Sequence, residues 1–427
     1  MTIKLLAVGD MHLGRQPSRL PEELAAQGRE HGPAAAWERA VKQAIEDRVD
    51  VVALAGDLVE QEDDFFEAYR DLRQGVERLA DAGIEVVGVT GNHDVMVLPR
   101  LARELPQFRL LGSKGDWETF EFEKNAERLT LHGWSFPEKR VSSSPLGGHD
   151  FQRNTGVNLG LLHCDRDQRD SHYAPVSSGE LLSADMDGWL LGHIHRPDAI
   201  TAPKPSGYLG SLTGLHPGEH GVRGPWLIEI QHGRVAAVEQ WPLAPLQWQR
   251  MDLDLTEIET PEESNDRLLR QVRELEKELQ SRRHPPRALG LRIRLTGRTR
   301  HGGAAADKLL AESNVATTGD FHIFIEKVTV ATRPETDLQK LIADEPGTYP
   351  SLLAQRLLLL DRPTEDEQRQ QLIAGVRRKL QDTLDESRWA GLERLDLADD
   401  QIAEWLGDVG VRLLEDLENQ KHSEVTR

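Results

Sequence analysis

Val86-Val87-Gly88-Val89-Thr90-Gly91-Asn92-His93-Asp94 is the stretch on which the fold turns. A short β-branched run reads as a buried strand, and this one stops at a glycine followed at once by amide, imidazole and carboxylate. Four more runs end in a glycine or a ligand-type residue, three of them with the glycine directly before the first polar residue. Gly9-Asp10-Met11-His12 follows the run Lys4–Val8, Gly56-Asp57 follows Val51–Leu54, Leu162-His163 closes Asn158–Leu162, and Gly192-His193-Ile194-His195 follows Trp189–Leu191. Ligands of α/β sheets bind beyond the carboxyl ends of strands, so these five strand ends are expected to converge on one rim. A glycine ahead of the first polar residue lets backbone approach an ion or a phosphate without a Cβ in the way.

Asp10, His12, Asp57, Asn92, His163, His193 and His195 offer oxygen and imidazole nitrogen and no sulfur. Such a set suits Mn²⁺, Fe²⁺ or Zn²⁺ and argues against a structural thiolate site. Seven donors exceed one tetrahedral site, whereas two ions sharing a carboxylate would use them all. Two metals about 3.5–4 Å apart clamp the attacking and leaving oxygens of a displacement at phosphorus, which points to phosphoester hydrolysis. His93, beside Asn92 and followed by Asp94, is placed to give a proton or hydrogen bond to the phosphate or leaving oxygen. Alone, Asp-x-His or Gly-Asp means little; five segments in order, each at a strand end, carry the reading.

Around these segments, residues 1–242 alternate strands with helices Ala34–Glu46 and Asp64–Ala82, then become mostly β through Arg128–Gly133, Trp226–Ile230 and Val235–Trp241. The pattern predicts an α/β (α+β) fold of two packed sheets flanked by helices. Pro242 and Pro245 mark a linker. A small α/β unit follows over 247–333: strand Gln247–Leu255, helix Pro261–Arg282, strand Leu289–Thr296, a short helix near Ala304–Ser313 and strand Phe321–Ala331. Residues 335–427 are helical in pattern, as Glu335–Asp344, Tyr349–Leu360, Thr364–Arg388 and Asp399–Asn419, with a frayed end.

The order D-x-H, GD, GNHD, H, GHxH resembles the calcineurin-like metallophosphoesterase superfamily over about residues 1–242. That resemblance implies a two-sheet sandwich in which Asp10, His12 and His195 hold one metal, Asp57 bridges, and Asn92, His163 and His193 hold the other. It makes His93 the catalytic histidine, oriented by Asp94. Within the superfamily the chain looks most like the SbcD/YhaO-like DNA repair nucleases, on Gly9-Asp10-Met11-His12-Leu13-Gly14, the loop with Tyr173-Ala174-Pro175, and Tyr208-Leu209-Gly210-Ser211. The resemblance implies two divalent ions, Mn²⁺ foremost, DNA as substrate, an α/β capping domain at 247–333, and C-terminal helices that bind a SbcC/YhaN-like coiled-coil ABC-type ATPase. One position departs: several nucleases of this family have a histidine three residues after the bridging aspartate, where this chain has Glu60. The departure bears on exonuclease action more than on phosphodiester hydrolysis.

The net charge of −20 supplies no general attraction for nucleic acid, so any such surface must be local. One candidate is Asn265–His301, with 11 basic residues against 4 acidic ones, where Arg292, Arg294, Arg298 and Arg300 alternate and are expected on one strand face as DNA contacts. A leucine stripe through Leu352, Leu353, Leu357, Leu360, Leu372, Val376, Leu380 and Leu384 reads either as a local helical core or as a face for a partner helix. Helix Ala34–Glu46, or the helix after Gly91-Asn92-His93-Asp94, is a candidate homodimer face. Cys164, the single cysteine, excludes an internal disulfide and reads as a small buried residue. No apolar run is long enough for a membrane span, and a cytoplasmic location is expected. Of the remaining histidines, His216 is best placed in sequence to line the site. Two other readings stand beside the nuclease: a hydrolase of small phosphodiesters or cyclic nucleotides, and a DNA-repair scaffold with incidental hydrolysis.

Overall fold

The computed structural model describes residues 2–60, 65–299, 301–311, 314–318, 321–332, 338–384 and 398–425. Its strands are β1 (Ile3–Val8), β2 (Val51–Ala55), β3 (Glu85–Val89), β4 (Phe108–Leu110), β5 (Glu118–Lys124), β6 (Glu127–Trp134), β7 (Val157–His163), β8 (Gly188–Gly192), β9 (Ser206–Tyr208), β10 (Trp226–Gln231), β11 (Arg234–Gln240), β12 (Leu246–Asp254), β13 (Ala288–Thr296), β14 (Asn314–Thr318) and β15 (Phe321–Val330). One sheet runs β11-β10-β1-β2-β3-β4, a second β5-β6-β7-β8-β9, and a third β12-β13-β15-β14.

In the first sheet β1 through β4 are parallel, with Leu5 opposite Val51 and Val51 opposite Glu85. Helices Pro33–Glu46, Phe65–Asp81 and Leu98–Glu104 make the crossovers. Strand alternation assigns the two faces. Leu6, Val8, Val52, Leu54 and Val86 pack with Trp37, Ala40, Val41 and Ala44 of the first helix and Leu72, Val76 and Leu79 of the second. Leu5, Ala7, Val51, Ala53, Val87 and Val89 instead meet Leu129, Leu131, Leu159, Leu161 and Leu190 of the second sheet. Buried on both faces, such strands read as continuous apolar runs, which is why they are visible in sequence. The second sheet's other face buries Trp134, Leu162, Trp189, Leu191 and Tyr208.

The two-sheet sandwich flanked by helices is therefore the architecture of the first part of the chain, and a helical region follows it. Strands β4, β5, β9 and β14 have no counterpart among the sequence expectations. Three of them are only three to five residues long. The fourth, β5, alternates Phe120 and Phe122 with charged neighbours. The last helix, Asp399–Val425, extends through most of the tail expected to fray. Arg300, Asp64, and the expected helix ends at Glu335 and Arg388 lie outside the described residues.

By compactness the chain forms two units, Met1–Met251 with Asp266–Ile293 and Leu309–Val328, and Asp252–Asn265 with Arg294–Lys308 and Thr329–Arg427. In the second, Ile373, Ile402 and Ala403 form a small core with Leu360, Val376 and Leu406 packed on it. Leu352, Trp405, Val409 and Leu413 stay exposed. The leucine stripe thus divides, one part serving the unit's own core and one facing outward.

Candidate metal centre

Strands β1, β2, β3, β7 and β8 end at one rim, and the side chains that follow them come together there. Asp10, His12 and His195 have ligand atoms within 4.8 Å of one another, and so do Asp57, His163 and His193. Asn92 Oδ1 lies 3.1 Å from His163 Nε2. All seven expected donors are thereby assembled, without the geometry itself assigning each to one ion.

Tight backbone makes the assembly possible. A Cβ on Gly91 would lie 2.1 Å from Asp57 Oδ1, and one on Gly192 would lie 2.1 Å from the Ala55 carbonyl and 2.8 Å from His163 Nδ1. Glycine is needed here for the approach of neighbouring strand ends and donors. His12, Asp57 and His193 have φ of 49°, 50° and 102°. Left-handed backbone costs a non-glycine residue about 1–3 kcal/mol and persists only where neighbours hold it. Here the holders are hydrogen bonds from His12 N to Asp57 O at 2.9 Å and from His193 N to Asp10 Oδ1 at 2.8 Å.

The histidines' outer nitrogens decide what their inner nitrogens can do. His12 Nδ1 is 2.6 Å from Glu60 Oε2, and His195 Nδ1 is 2.8 Å from Glu219 Oε1. His163 Nδ1 is 3.1 Å from the Ala55 carbonyl, and His193 Nε2 is 3.2 Å from Asp165 Oδ1. Each acceptor takes an N–H, which assigns the tautomers and leaves the inner nitrogens as lone pairs. Those lone pairs face each other: His12 Nε2 and His195 Nε2 at 2.9 Å, His193 Nδ1 and His163 Nε2 at 3.2 Å, with Asp57 Oδ2 3.3 Å from His163 Nε2. Asp10 Oδ2 is buried with no protein partner among the described residues. Acceptors that converge without donors fit divalent cations.

The electrostatics agree. Burial alone would lower the His163 pKa, but Asp57 facing it and Asp10 nearby raise it to about 9. A proton is thus drawn to the nitrogen a metal would use, and the two compete for it. His163, with His12 and His93, keeps Asp57 well below the ordinary carboxylate range despite its burial. Glu219, also buried, is lowered to about 2 by its bond to His195 and the Leu215 amide.

His93 is the exposed member of the centre. Its ring lies edge-on to His12 at 5.2 Å between centroids, its Nδ1 is 3.7 Å from Glu60 Oε1, and its backbone N–H donates to Asp57 Oδ1 at 2.9 Å. Asp94 does something other than orient that ring. Fully buried, it accepts from the amides of Gly91 at 2.8 Å and Leu58 at 2.7 Å, and so ties the β2 and β3 loops together. Burial and the charge of Asp57 push its pKa up to about 7. Cys164 is buried and its thiol pushed far up by burial. His216 reaches Glu219 at 3.2 Å and is otherwise exposed.

Glu60, Glu219 and Asp165 hold three of the imidazoles and were not legible as site residues. In the sequence Glu60 stands out only as a departure from the family pattern, and Glu219 lies in the loop Gly218-Glu219-His220 with no strand end to announce it. Of the four arginines expected on one strand face, two are there, one lies beyond the strand, and Arg300 is outside the described residues. Arg292 and Arg294 share a face of β13, but Arg292 pairs with Glu326 at 2.6 Å and Arg294 with Asp252 at 2.6 Å. β13 ends at Thr296, so Arg298 lies beyond the strand, lining a cavity with Leu338, Leu357 and Ala403.

Residues 3–197 match the calcineurin-like phosphoesterase family, and residues 248–333 match the middle domain of metallophosphoesterase YhaO. Metallophosphoesterase YhaO of Bacillus subtilis is 27% identical over 262 residues, 60% of this chain and 64% of that protein. The DNA double-strand break repair protein Mre11 of Aeropyrum pernix is 27% identical over 270 residues, 59% of this chain and 64% of that one. The chain thus matches just under two thirds of the length of these relatives. Among solved structures, calcineurin-like phosphoesterase YfkN from Bacillus subtilis aligns with a TM-score of 0.36 and 11% identity, over 56% of this chain and 90% of that one. No helix among the described residues is long and apolar enough to cross a membrane. With the phosphoesterase domain and the YhaO middle domain in succession, the chain belongs to the calcineurin-like metallophosphoesterases, as a member of their SbcD/YhaO-like family.

Proposed function

We propose that the protein is a two-metal phosphodiesterase that cuts DNA at ends or gaps, with Mn²⁺ as its working ion. The observation that carries this is the set of inner nitrogens and carboxylate oxygens facing one another without donors. In the proposal Asp10, His12 and His195 hold one ion, Asn92, His163 and His193 the other, and Asp57 is shared. Bound there, two divalent ions would neutralise a phosphodiester's charge and activate the attack at phosphorus. The chain's own contribution is to fix those donors through Glu60, Glu219, Asp165 and the Ala55 carbonyl. His93, exposed at the rim, gives a proton or hydrogen bond to the phosphate or leaving oxygen.

DNA as substrate is supported by the relatives named as DNA double-strand break repair proteins. In the same proposal residues 1–242 are the nuclease part, 247–333 an accessory capping part and 335–427 the part that meets a coiled-coil ATPase. Arg292, Arg294, Arg298 and Arg300 remain its candidate phosphate contacts. The Arg294–Asp252 pair is more than half exposed on both sides. Such pairs contribute little and exchange readily for a phosphate.

The test is Mn²⁺-dependent cleavage of end-labelled linear double-stranded, single-stranded and circular DNA, beside bis-p-nitrophenyl phosphate, for wild type and His93→Ala. DNA cutting that His93→Ala abolishes is the expected result. Hydrolysis of the small diester with every DNA left intact, even with the ATPase added, would overturn the nuclease and leave a small-substrate phosphodiesterase.

A further inference from the structure

Away from the metal centre, helix Pro33–Glu46 and the segment around 280–287 enclose a cavity of about 570 Å³ within the first compact unit. No residue of the metal centre lines it. Arg29, Arg39, Lys42, Arg283, His284 and Arg287 do, facing two acids, Glu30 and Glu38. Most of these cations have carboxylate partners: Arg29 with Asp71, Arg283 with Glu46 and Asp47, Arg287 with Glu30 at 2.6 Å. Arg39 has none among the described residues. Its guanidinium is held by carbonyls alone, Pro285 O at 3.0 Å and Leu243 O at 3.5 Å. Burial, with Arg287 beside it, lowers its pKa to about 10.

A partly buried guanidinium without an anion is costly to keep, because desolvation is not offset by an opposite charge. A second buried group nearby lacks hydrogen-bond partners altogether. His31 is 2% exposed, and neither ring nitrogen has a partner among the described residues. Glu30, Arg287 and Arg39, which line the cavity, all act on its charge. The helix also starts here with no side-chain cap, and Ala34 and Ala35 of its first turn line the cavity, so the positive end of its dipole adds to the field.

We propose that this cavity is a second anion site, built on Arg39, that takes a phosphate group carried by a free nucleotide or by a nucleic-acid strand end. Its volume lies within the range of small-ligand pockets, roughly 300–1,000 Å³, and Pro285, Pro286 and Phe321 supply an apolar wall for a base or sugar. Arginine binds phosphate in a fork of two hydrogen bonds, which gives Arg39 the anion it lacks. The site does not depend on the phosphodiesterase reading.

The experiment uses the full chain stripped of metal with EDTA, so that the metal centre cannot hold the probe. Calorimetric titration with inorganic phosphate, pyrophosphate and deoxyadenosine monophosphate is expected to show saturable one-site binding. Arg39→Met should weaken it about tenfold to a hundredfold, the worth of a charged hydrogen-bonded contact, while bis-p-nitrophenyl phosphate hydrolysis by the Mn²⁺-loaded variant stays at the wild-type level. If Arg39→Met fails to fold by circular dichroism, Lys42→Ala and Arg287→Gln at the rim must each weaken binding. A strand with a 5′-phosphate binding better than the same strand with a 5′-hydroxyl assigns the ligand to strand ends. Equal binding of the two strands, with pyrophosphate still bound, assigns it to free phosphate compounds. No saturable binding of any phosphate probe to the wild type, or the same affinity in wild type and every folded variant, overturns the site.

Discussion

The metal centre and the arginine-rich stretch look alike in composition, each a local excess of one kind of chemistry, and the fold treats them oppositely. At the rim, acceptors are gathered without donors: His12 and His195 face each other with lone pairs, and Asp10 Oδ2 has no protein partner among the described residues. In the arginine-rich stretch the charges find partners. Arg282, Arg283, Arg287, Arg292 and Arg294 reach Glu278, Glu46, Glu30, Glu326 and Asp252. A cluster of charge in sequence is therefore evidence of a site only where the fold withholds its partners. Arg39, outside the stretch, follows the metal centre's pattern.

The largest effect expected is at the residue that joins the two donor groups. Asp57 Oδ2 lies 3.3 Å from His163 Nε2 and 3.9 Å from His12 Nε2. Asp57→Asn removes the charge at that junction. Mn²⁺ affinity by calorimetry and hydrolysis of bis-p-nitrophenyl phosphate should both fall by more than the ~10–100-fold typical of outer positions. Undiminished metal binding would break the claim that withheld partners mark the site. Next comes Glu219, which holds His195 from outside the donor set and also accepts from the Leu215 amide. Glu219→Gln should lower Mn²⁺ affinity about 10–100-fold while the folded circular-dichroism signal is kept.

How much of this was legible follows from how each residue is anchored. The seven residues gathered at the rim stand out in sequence because each closes or soon follows a strand buried on both faces, so an apolar run ends at a glycine or a ligand-type residue. The second layer could not. Glu60 and Glu219 act through the outer nitrogens of His12 and His195, and that relation exists only once β1, β2 and the loop at 218–220 are brought together. Asp94 shows the converse: its place in the motif suggested a role toward His93, whereas its oxygens are engaged by the Gly91 and Leu58 amides. Sequence neighbours share a loop, but hydrogen bonds follow space. The same limit applies to Arg298, which period-two alternation places on a strand that stops at Thr296.

A smaller effect would sharpen the other side of the comparison. If Arg294 exchanges Asp252 for a DNA phosphate, Arg294→Gln should reduce the slope of log affinity against log salt by about one and leave sequence preference unchanged. Folding stability should be nearly unchanged, since the pair is exposed on both sides. An unchanged slope in filter binding would make Arg294 a partner of Asp252 alone.

The smallest effect separates an ion pair from a site by pH. Asp47 takes both Nη1 contacts of Arg283 at 3.0 Å and a further bond from Gln43. Partial burial works to raise its pKa, but the Arg283 and Gln43 bonds win and lower it. A carboxylate lowered on folding stabilises the fold above its unfolded pKa, and that contribution is lost as pH falls through the folded value. The stability difference between wild type and Asp47→Asn in urea should therefore be present at neutral pH and shrink below about pH 4, where the unfolded carboxylate begins to protonate. With Arg283 more than half exposed it should not exceed about 1 kcal/mol and should fall further in high salt. A difference that persisted in strong acid would mean that packing, not charge, had been lost. Removing this acid costs the protein a little stability, whereas removing Asp57 removes what the rim is arranged to hold.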